Sequence, residues 1–587
     1  MNIAEFLNTN AEKFPLKSAI GFKKKEKWTE ISWTVFRRLV FKTANALREA
    51  GISEHDKVAI YSDNSAEWIV FDLAILSLGA ITVPVYSTNN EEQAEYILNE
   101  SECKMILVGN QEQYDAAFSI LNKHHILQKV IVAKKSIWIK KENSQYLEDF
   151  IKKAAEEFDI VAKEDTELAT IIYTSGTTGV PKGVMLTHGN FHKSVEAHFE
   201  FFKFNNFENE KSLAFLPLTH VFERCWTLLV LFGGATVYFL ENTKLIASAL
   251  TEVKPTMMCS VPRFYQKVYA GVNEMVNNSS DAKKKIFKWA IATGNEVAEL
   301  RRVNKPIPFS LKMKNTVAGI MVFNKIKQKM GGKLWFMPCG GASVSEEVTR
   351  FFEALGIHIT VGYGLTETTA TLTCFPFHHF KHGSAGIRFG ETQLKIGEND
   401  EILAKGSGIM KGYYKKPEAT AEVFTEDGWF KTGDAGRFDD SGNLFITDRI
   451  KDLMKTSNGK YIAPQPIENL LSNNNYINQA MIVAEGKSFV TALIIPNFEA
   501  LKEQLDKMSI PFTNWEDIVK SEKIKEFYRE KIEEIQKNLA GFEKVKKFVL
   551  MPSEFEMTSG EITPTLKVKR NVIMQKYADI INGMYNS

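Results

Sequence analysis

Cysteine is scarce: five in 587 residues (Cys103, Cys225, Cys259, Cys339 and Cys374), with no CxxC pair and no histidines at zinc-binding spacing. That excludes a disulfide framework and a structural zinc site, and points to a reduced, cytoplasmic setting. Net charge is also nearly absent. The 73 Lys plus Arg stand against 71 Asp plus Glu, a formal +2, so no overall field draws the chain to nucleic acid. The opening MNIAEFLNTNAEKF has no basic segment ahead of an apolar core and does not read as a secretory leader. No long hydrophobic run is unbroken either. The best, Trp68 to Val85, is interrupted by Asp72 and Gly79 and carries Pro84, so it reads as a buried helix ending near Gly79 followed by a buried strand rather than a membrane span. No internal repeat or low-complexity tract is present.

What is present implies several folded units, because 587 residues exceed one ordinary core. From Lys57 the chain alternates short apolar runs with helical stretches: VAIYS, Ala66 to Leu78, ITVPVY, Glu91 to Leu98, then MILVG. Strands alternating with helices predict parallel βαβ units. The same rhythm returns in AFLPL, ATVYFL, TMMCSV and HITVGYG. Val272 to Met330 is amphipathic and lysine-rich, which predicts a solvated helix pair packed by one face, with peripheral contact to anionic membrane lipid as the alternative. After Gly390, ENDEILAKGSG and FDDSGNLFITD predict antiparallel strands joined by Asp/Gly turns, a small β-barrel-like subdomain. Beyond Arg449, a helix (Pro466 to Ser472), the strands AMIVAE and FVTALIIP, and charged helices from Phe498 to about Leu539 predict a separate α+β domain. The fold class is therefore α/β, a large layered N-terminal domain followed by a small α+β one.

The segment that speaks most directly of chemistry is YTSGTTGVPKG, Tyr173 to Gly183, directly after the apolar LATII. Gly176, Gly179 and Gly183 permit positive φ, and Thr174, Ser175, Thr177 and Thr178 supply hydroxyls among amides that can point at an anion. Such a loop cradles phosphate. It is not a Walker A loop, because Pro181 precedes Lys182 and Gly183 follows it.

These residues resemble the phosphate loop of the adenylate-forming enzymes, the superfamily of acyl-CoA synthetases, coumarate ligases, luciferases and peptide-synthetase adenylation domains. GYGLTET (362–368), GWFKTGD (428–434), DRIKDLMKTSNGKYIAP (448–464) and PTLKVKR (564–570) follow in that family's order. The resemblance implies ATP and coenzyme A as co-substrates and Mg²⁺ as cofactor. It implies that Glu367 and Thr174 hold the Mg²⁺, hard oxygen donors suited to that ion, with Thr366 and Lys182 close to the phosphates. By the same resemblance, Tyr363 packs on adenine, Gly340, Gly341, Ala342, Gly362 and Gly364 line its pocket, and Asp434 and Arg449 meet the ribose. Lys451 is, again by resemblance, the hinge between an adenylation domain (1–449) and a mobile C-terminal domain (453–587), the hinge segment being 450–452. Lys567 reaches the reacting carboxylate and α-phosphate in the first half-reaction, and Gly459 lets the backbone approach the thiol tunnel in the second. Read without the family, Glu367 is a helix-start carboxylate, Tyr363 a core residue, Asp434 a turn former and Lys567 a solvated tail lysine. GYGLTE is not GxGxxG, since position 367 is Glu, so a dinucleotide fold is excluded.

PLTHVFER (217–224), the 448–464 segment and the inserted 272–330 region resemble the long-chain fatty acyl-CoA synthetase branch, which implies a long-chain fatty acid as the acyl substrate and places His220 near the acyl entrance. An isolated histidine after a strand also serves a purely structural role. Lys451 where many members have aspartate, Asp448 and Leu566 where they have glycine, and Arg224 where some carry an aromatic tunnel gate are departures from the broader family; gating by Trp226, or by nothing, stays open. A ligase loading an acyl-carrier protein, or a CoA ligase for a shorter or aromatic acid, shares every adenylation segment. Monomer and homodimer are equally compatible with the sequence.

Overall fold

A computed structural model describes residues 1–587 except 125, 141–142, 175–179, 451–452, 458–459, 557–558, 563–567 and 587. Its centre is an eight-stranded sheet. In spatial order the strands are Gly412–Tyr413, Lys182–Thr187, Leu168–Thr174, Ile81–Val85, Lys57–Tyr61, Cys103–Val108, Lys129–Val132 and Ser144–Tyr146. From Leu168–Thr174 onward the pairings are parallel, as the βαβ rhythm predicts. Val58, Ile60, Met105 and Leu107 fill one face and Ala59, Tyr61, Ile106 and Val108 the other, so both faces are buried, which is why these runs are continuously apolar. The helix Ala66–Ser77 is buried all round and capped by Ser65, which accepts from the Trp68 N–H at 3.1 Å. It ends at Gly79, whose φ of +74° suits glycine. Among the described residues no helix is long and apolar enough to cross a membrane.

Two four-stranded sheets follow. One pairs Lys211–Ala214, Thr236–Phe239, Ser18–Lys24 and Lys27–Ser32; the other pairs Phe336–Cys339, His358–Tyr363, Thr373–Cys374 and Ile387–Arg388. Residues 256–261, expected as a strand, instead bridge them through isolated parallel pairings, Met257 with Ser212 and Phe336, and Ser260 with Cys339. AFLPL likewise differs from expectation: the strand stops at Ala214, ahead of Pro217.

After Gly390, Gln393–Ile396, Glu401–Lys405, Phe430–Phe438 and Leu444–Arg449 form an antiparallel sheet. Its turns have the expected chemistry: Asn399 and Asp400 adopt φ of 55° and 59°, and Asp439 Oδ1 accepts from the N–H of Ser441 and Asn443. The C-terminal sheet, Ile477–Val483, Val490–Pro496 and Val545–Leu550, is covered by helices Phe498–Lys507 and Glu522–Ile535 on one face and Arg570–Lys576 and Ala578–Asn586 on the other. Its side chains meet the rest of the chain through polar bonds: Asn469 to Ser343 (2.6 Å), Arg263 to Asn478 (3.0 Å) and Gln266 to Asn473 (3.1 Å).

The expected helix pair at 272–330 is more elaborate. Helices Pro262–Asn277, Asp281–Arg302 and Phe309–Ala318, a π turn at Gly319–Phe323 and helix Asn324–Lys329 occupy the region. Prolines 306 and 308 break the chain before the third helix.

Candidate active site

Strands Leu168–Thr174 and Lys182–Thr187 pair antiparallel, Thr174 opposite Lys182 and Tyr173 opposite Gly183. A Cβ on Gly183 would lie 2.7 Å from Ile171 and 3.0 Å from the Tyr173 ring, so only glycine fits that crossing. The loop they carry includes Ser175, Gly176, Thr177, Thr178 and Gly179, which lie outside the described residues, as do Lys451, Gly459 and Lys567.

At the foot of the loop a run of polar side chains links elements far apart in sequence. The Lys182 ammonium sits 5.1 Å over the Tyr413 ring. The Tyr413 hydroxyl donates to Glu367 Oε1 at 2.9 Å. Burial pushes the Glu367 carboxyl above the usual carboxylate range, opposed by backbone and Tyr413 hydrogen bonds and by the Arg449 charge. Arg449 Nε lies 3.4 Å from Asp434 Oδ1, and Tyr363 donates to Asp434 Oδ2 at 2.7 Å. Asp434 and Arg449 face each other across neighbouring strands. Lys182, Tyr413, Glu367, Arg449, Asp434 and Tyr363 therefore share one neighbourhood. Asp434, expected to receive ribose hydroxyls, is engaged here by a phenol and a guanidinium, which hold its carboxylate in place. Tyr413 escaped the sequence reading; the only signal was an aromatic in KGYYKK, indistinguishable from an edge-strand packing residue.

The wall of this neighbourhood is backbone. Gly340 is buried, with the Phe222 ring 3.3 Å from where a Cβ would stand, while Gly341 (φ +86°) and Ala342 are exposed at the following turn. Gly362 lies in the strand His358–Tyr363. A Cβ on Gly364 would meet the Ala370 carbonyl at 2.2 Å. Thr366 opens the 3₁₀ turn Thr366–Thr368, beyond which Thr369 and Ala370 both take positive φ, 50° and 74°. Two such residues in succession are costly; the Thr369 hydroxyl, donating to the Gly408 carbonyl at 2.6 Å, holds the turn. Thr174 and Glu367 offer a hydroxyl and a carboxylate, and among the described residues no cluster of three or more His, Cys, Asp or Glu could hold a metal by itself. That donor set fits a Mg²⁺ held mainly by phosphate oxygens.

Gly362 also lines an apolar cavity, bounded on one side by Phe222, Cys225, Trp226 and Leu229 of the helix Val221–Phe232, and elsewhere by Phe202, Phe204 and Phe336 among others. Its free volume is about 40 Å³. His220 caps that helix, its Nδ1 accepting from the Phe222 N–H at 3.2 Å. Trp226, lining the cavity, is pinned by a 3.0 Å bond to Ser212. Arg224, at the position of the aromatic gate elsewhere, points away into the core. It is fully buried, forms two bonds to Asp72 (2.6 and 3.0 Å) and one to Thr170 (2.7 Å), and so cannot gate. Asp72 was legible only as an interruption in an apolar run. Burial keeps the thiols protonated: it raises the pKa of Cys103 and Cys225 to about 12, outweighing the nearby Lys57 and Arg224 charges.

Glu223, on the same helix, is buried and accepts from the Leu216 N–H (3.1 Å) and the Thr227 hydroxyl (3.3 Å). Burial raises its pKa from 4.5 to about 8. The folded protein thus binds a proton that the unfolded chain releases above its lower pKa, so stability is lost as pH rises through that window. Glu223→Gln is expected to melt progressively higher than the wild type between pH 5 and pH 8; a melting difference constant with pH would contradict the assignment.

The AMP-binding enzyme family matches residues 7–414, and the AMP-binding enzyme C-terminal domain matches residues 451–587. The chain belongs to the AMP-binding enzyme family. Within it, the chain is similar to the long-chain-fatty-acid–CoA ligase FadD15 of Mycobacterium tuberculosis, 31% identical over 570 residues, 95% of this chain and 93% of the relative. It is also similar to the long-chain-fatty-acid–CoA ligase ACSBG2 of Homo sapiens, 29% identical over 622 residues, covering 100% and 92%. Among solved structures, the adenylation domain of a carboxylate reductase from Mycobacterium chelonae superposes with a TM-score of 0.79 at 20% identity, over 100% of this chain and 91% of that one. The anthranilate CoA ligase AuaEII in complex with anthranoyl-AMP gives 0.77 at 17%, over 99% and 98%. At such identities the structural likeness speaks for the fold.

Proposed function

We propose that the chain is an ATP-dependent, AMP-forming ligase that joins long-chain fatty acids to coenzyme A in two half-reactions. The observation that carries this reading is an adjacency: a cation, carboxylate and tyrosine network that includes Tyr363, and an aromatic-rich apolar cavity lined by the preceding residue, Gly362. The names of the relatives support the same substrate class.

In the first half-reaction a carboxylate oxygen attacks the α-phosphorus of ATP, the bond to pyrophosphate breaks, and an acyl-adenylate forms. Lys182, Thr366 and the 174–179 loop neutralise phosphate charge. Tyr363 and the 340–342 backbone hold the adenine, and Asp434, with Arg449, the ribose. Glu367 and Thr174 would hold Mg²⁺, which offsets charge on the leaving pyrophosphate. His220 stands at the acyl entrance, and Lys567 delivers an ammonium to the bond being made. In the second half-reaction the CoA sulfur attacks the acyl carbonyl, the bond to AMP breaks, and a thioester results. The C-terminal unit 453–587 turns on the hinge 450–452 relative to 1–449, withdrawing Lys567 and presenting the segment around Gly459.

The cavity volume of about 40 Å³ admits little more than a water molecule. A long tail therefore requires Phe202, Phe204 and Phe336 to rotate, at a gain of about 0.8 kcal/mol for each methylene buried. With ATP, Mg²⁺, CoA and a panel of acids, pyrophosphate release is expected to be fastest for chains of roughly 12 to 18 carbons. Equal rates with acetate or aromatic acids would sink the substrate assignment.

A further inference from the structure

The helix Phe309–Ala318 and the π turn after it bury one face, Leu311, Ala318 and Phe323, against the protein. The opposite face of an ordinary surface helix is polar. Here it carries Phe309 (79% exposed), Met313 (53%), Val317 (43%), Ile320 (66%) and Met321 (41%). Offsets of four, four and three residues place Phe309, Met313, Val317 and Ile320 on one stripe. Lys312, Lys314 and Lys325, all exposed, flank it. The charge around the stripe is one-sided. No Asp or Glu stands between Glu299 and Glu346, whereas Arg301, Arg302 and seven lysines do. The packed helix Asp281–Arg302 adds Lys283, Lys284, Lys285 and Lys288 near its start, with Trp289 exposed beside them. Its own acids are fewer: Asp281 and Glu299 already pair with Lys284 and Arg302, leaving Glu296.

We propose that this apolar, lysine-flanked stripe docks the protein on an anionic lipid bilayer, lying in the headgroup layer with Phe309, Met313, Val317 and Ile320 among the upper acyl carbons. An exposed apolar face alone fits any apolar partner. The lysine flanks with no intervening acid select one whose surface is itself negative and extended, and a bilayer containing anionic lipid satisfies both demands at once. Because the stripe is exposed and carried by a helix anchored on its other face, docking requires no rearrangement of the fold. Membrane docking is independent of which acid the enzyme activates.

The test is cosedimentation of the full chain with vesicles of phosphatidylcholine alone or with about one-third phosphatidylserine. The wild type is expected to bind the anionic vesicles at least ten-fold more than the neutral ones, with binding falling as salt is raised. A variant with Phe309→Ser, Met313→Ser, Val317→Ser and Ile320→Ser loses that binding at least ten-fold. Because these side chains are exposed, its melting temperature and its turnover of a water-soluble medium-chain acid stay at the wild-type values. Equal, weak binding of the wild type to both vesicle types would overturn the proposal. So would sedimentation showing that the wild type dimerises in solution and the variant does not, which would assign the stripe to a second copy of the chain.

Discussion

Replacing Glu367 by glutamine is expected to slow pyrophosphate release by roughly 10²–10³, while leaving the melting temperature near that of the wild type. Glutamine retains an oxygen to accept the Tyr413 hydroxyl at the position of Oε1, so the local geometry survives. What disappears is the negative charge that the proposed chemistry uses beside the phosphates. Glu367 sits on the 3₁₀ turn Thr366–Thr368, and the neighbouring carboxylate, Asp434, is tied to Tyr363 and Arg449 and so is not free to replace it. The variant should also need a higher Mg²⁺ concentration to reach its own half-maximal rate. A rate within two-fold of the wild type at all Mg²⁺ concentrations would remove Glu367 from the proposed chemistry.

The second large effect concerns stability. Asp72 and Arg224 are both fully buried, and Asp72 Oδ1 also receives the Thr82 hydroxyl at 2.7 Å. Arg224 in turn binds Thr170 in the strand that leads to the phosphate loop. Asp72→Ala leaves a guanidinium buried with half its partners gone, which costs about 3–5 kcal/mol. Replacing both residues by apolar ones, Asp72→Leu with Arg224→Met, is expected to recover most of that loss, because the penalty lies in the stranded charge rather than the missing attraction. The midpoint of the first denaturant transition measures both. If the double variant is as unstable as Asp72→Ala, the pair is doing something other than satisfying itself, such as fixing the helix that carries His220 at its cap.

Much of the layout was legible because its signals are local. The βαβ rhythm from Lys57 to Val108 rests on runs of apolar residues buried on both faces, and the Asn399–Asp400 turn on residues that tolerate positive φ. Motif order alone brought Lys182, Glu367 and Asp434 forward as one candidate site. The partners that hold them were not readable. Tyr413 and Arg224 act through contacts 46 and 152 residues away in sequence, and a tyrosine or an arginine in an apolar segment has no local mark of its destination. The strand expected at 214–218 failed because apolar character cannot tell a strand from the loop over a helix cap. The 272–330 region holds more helices than the expected pair, because an amphipathic period does not show where a chain is divided, here at Pro306 and Pro308 and at the π turn Gly319–Phe323.

The seam between the C-terminal sheet and the rest of the chain is made of Asn469, Arg263 and Gln266 reaching across to Ser343, Asn478 and Asn473, and no cluster of buried apolar side chains extends from one side to the other among the described residues. Amides and hydroxyls of that kind trade one another for solvent at a net loss of only about 0.5–1.5 kcal/mol each, and the Arg263 guanidinium, which also lies 3.9 Å from Glu554, at about 1.5–3 kcal/mol. Parting the two sides should therefore leave the heat capacity almost unchanged, since little greasy surface is wetted. A joint held this way is what the proposed alternation requires, since parting it loosens neither body.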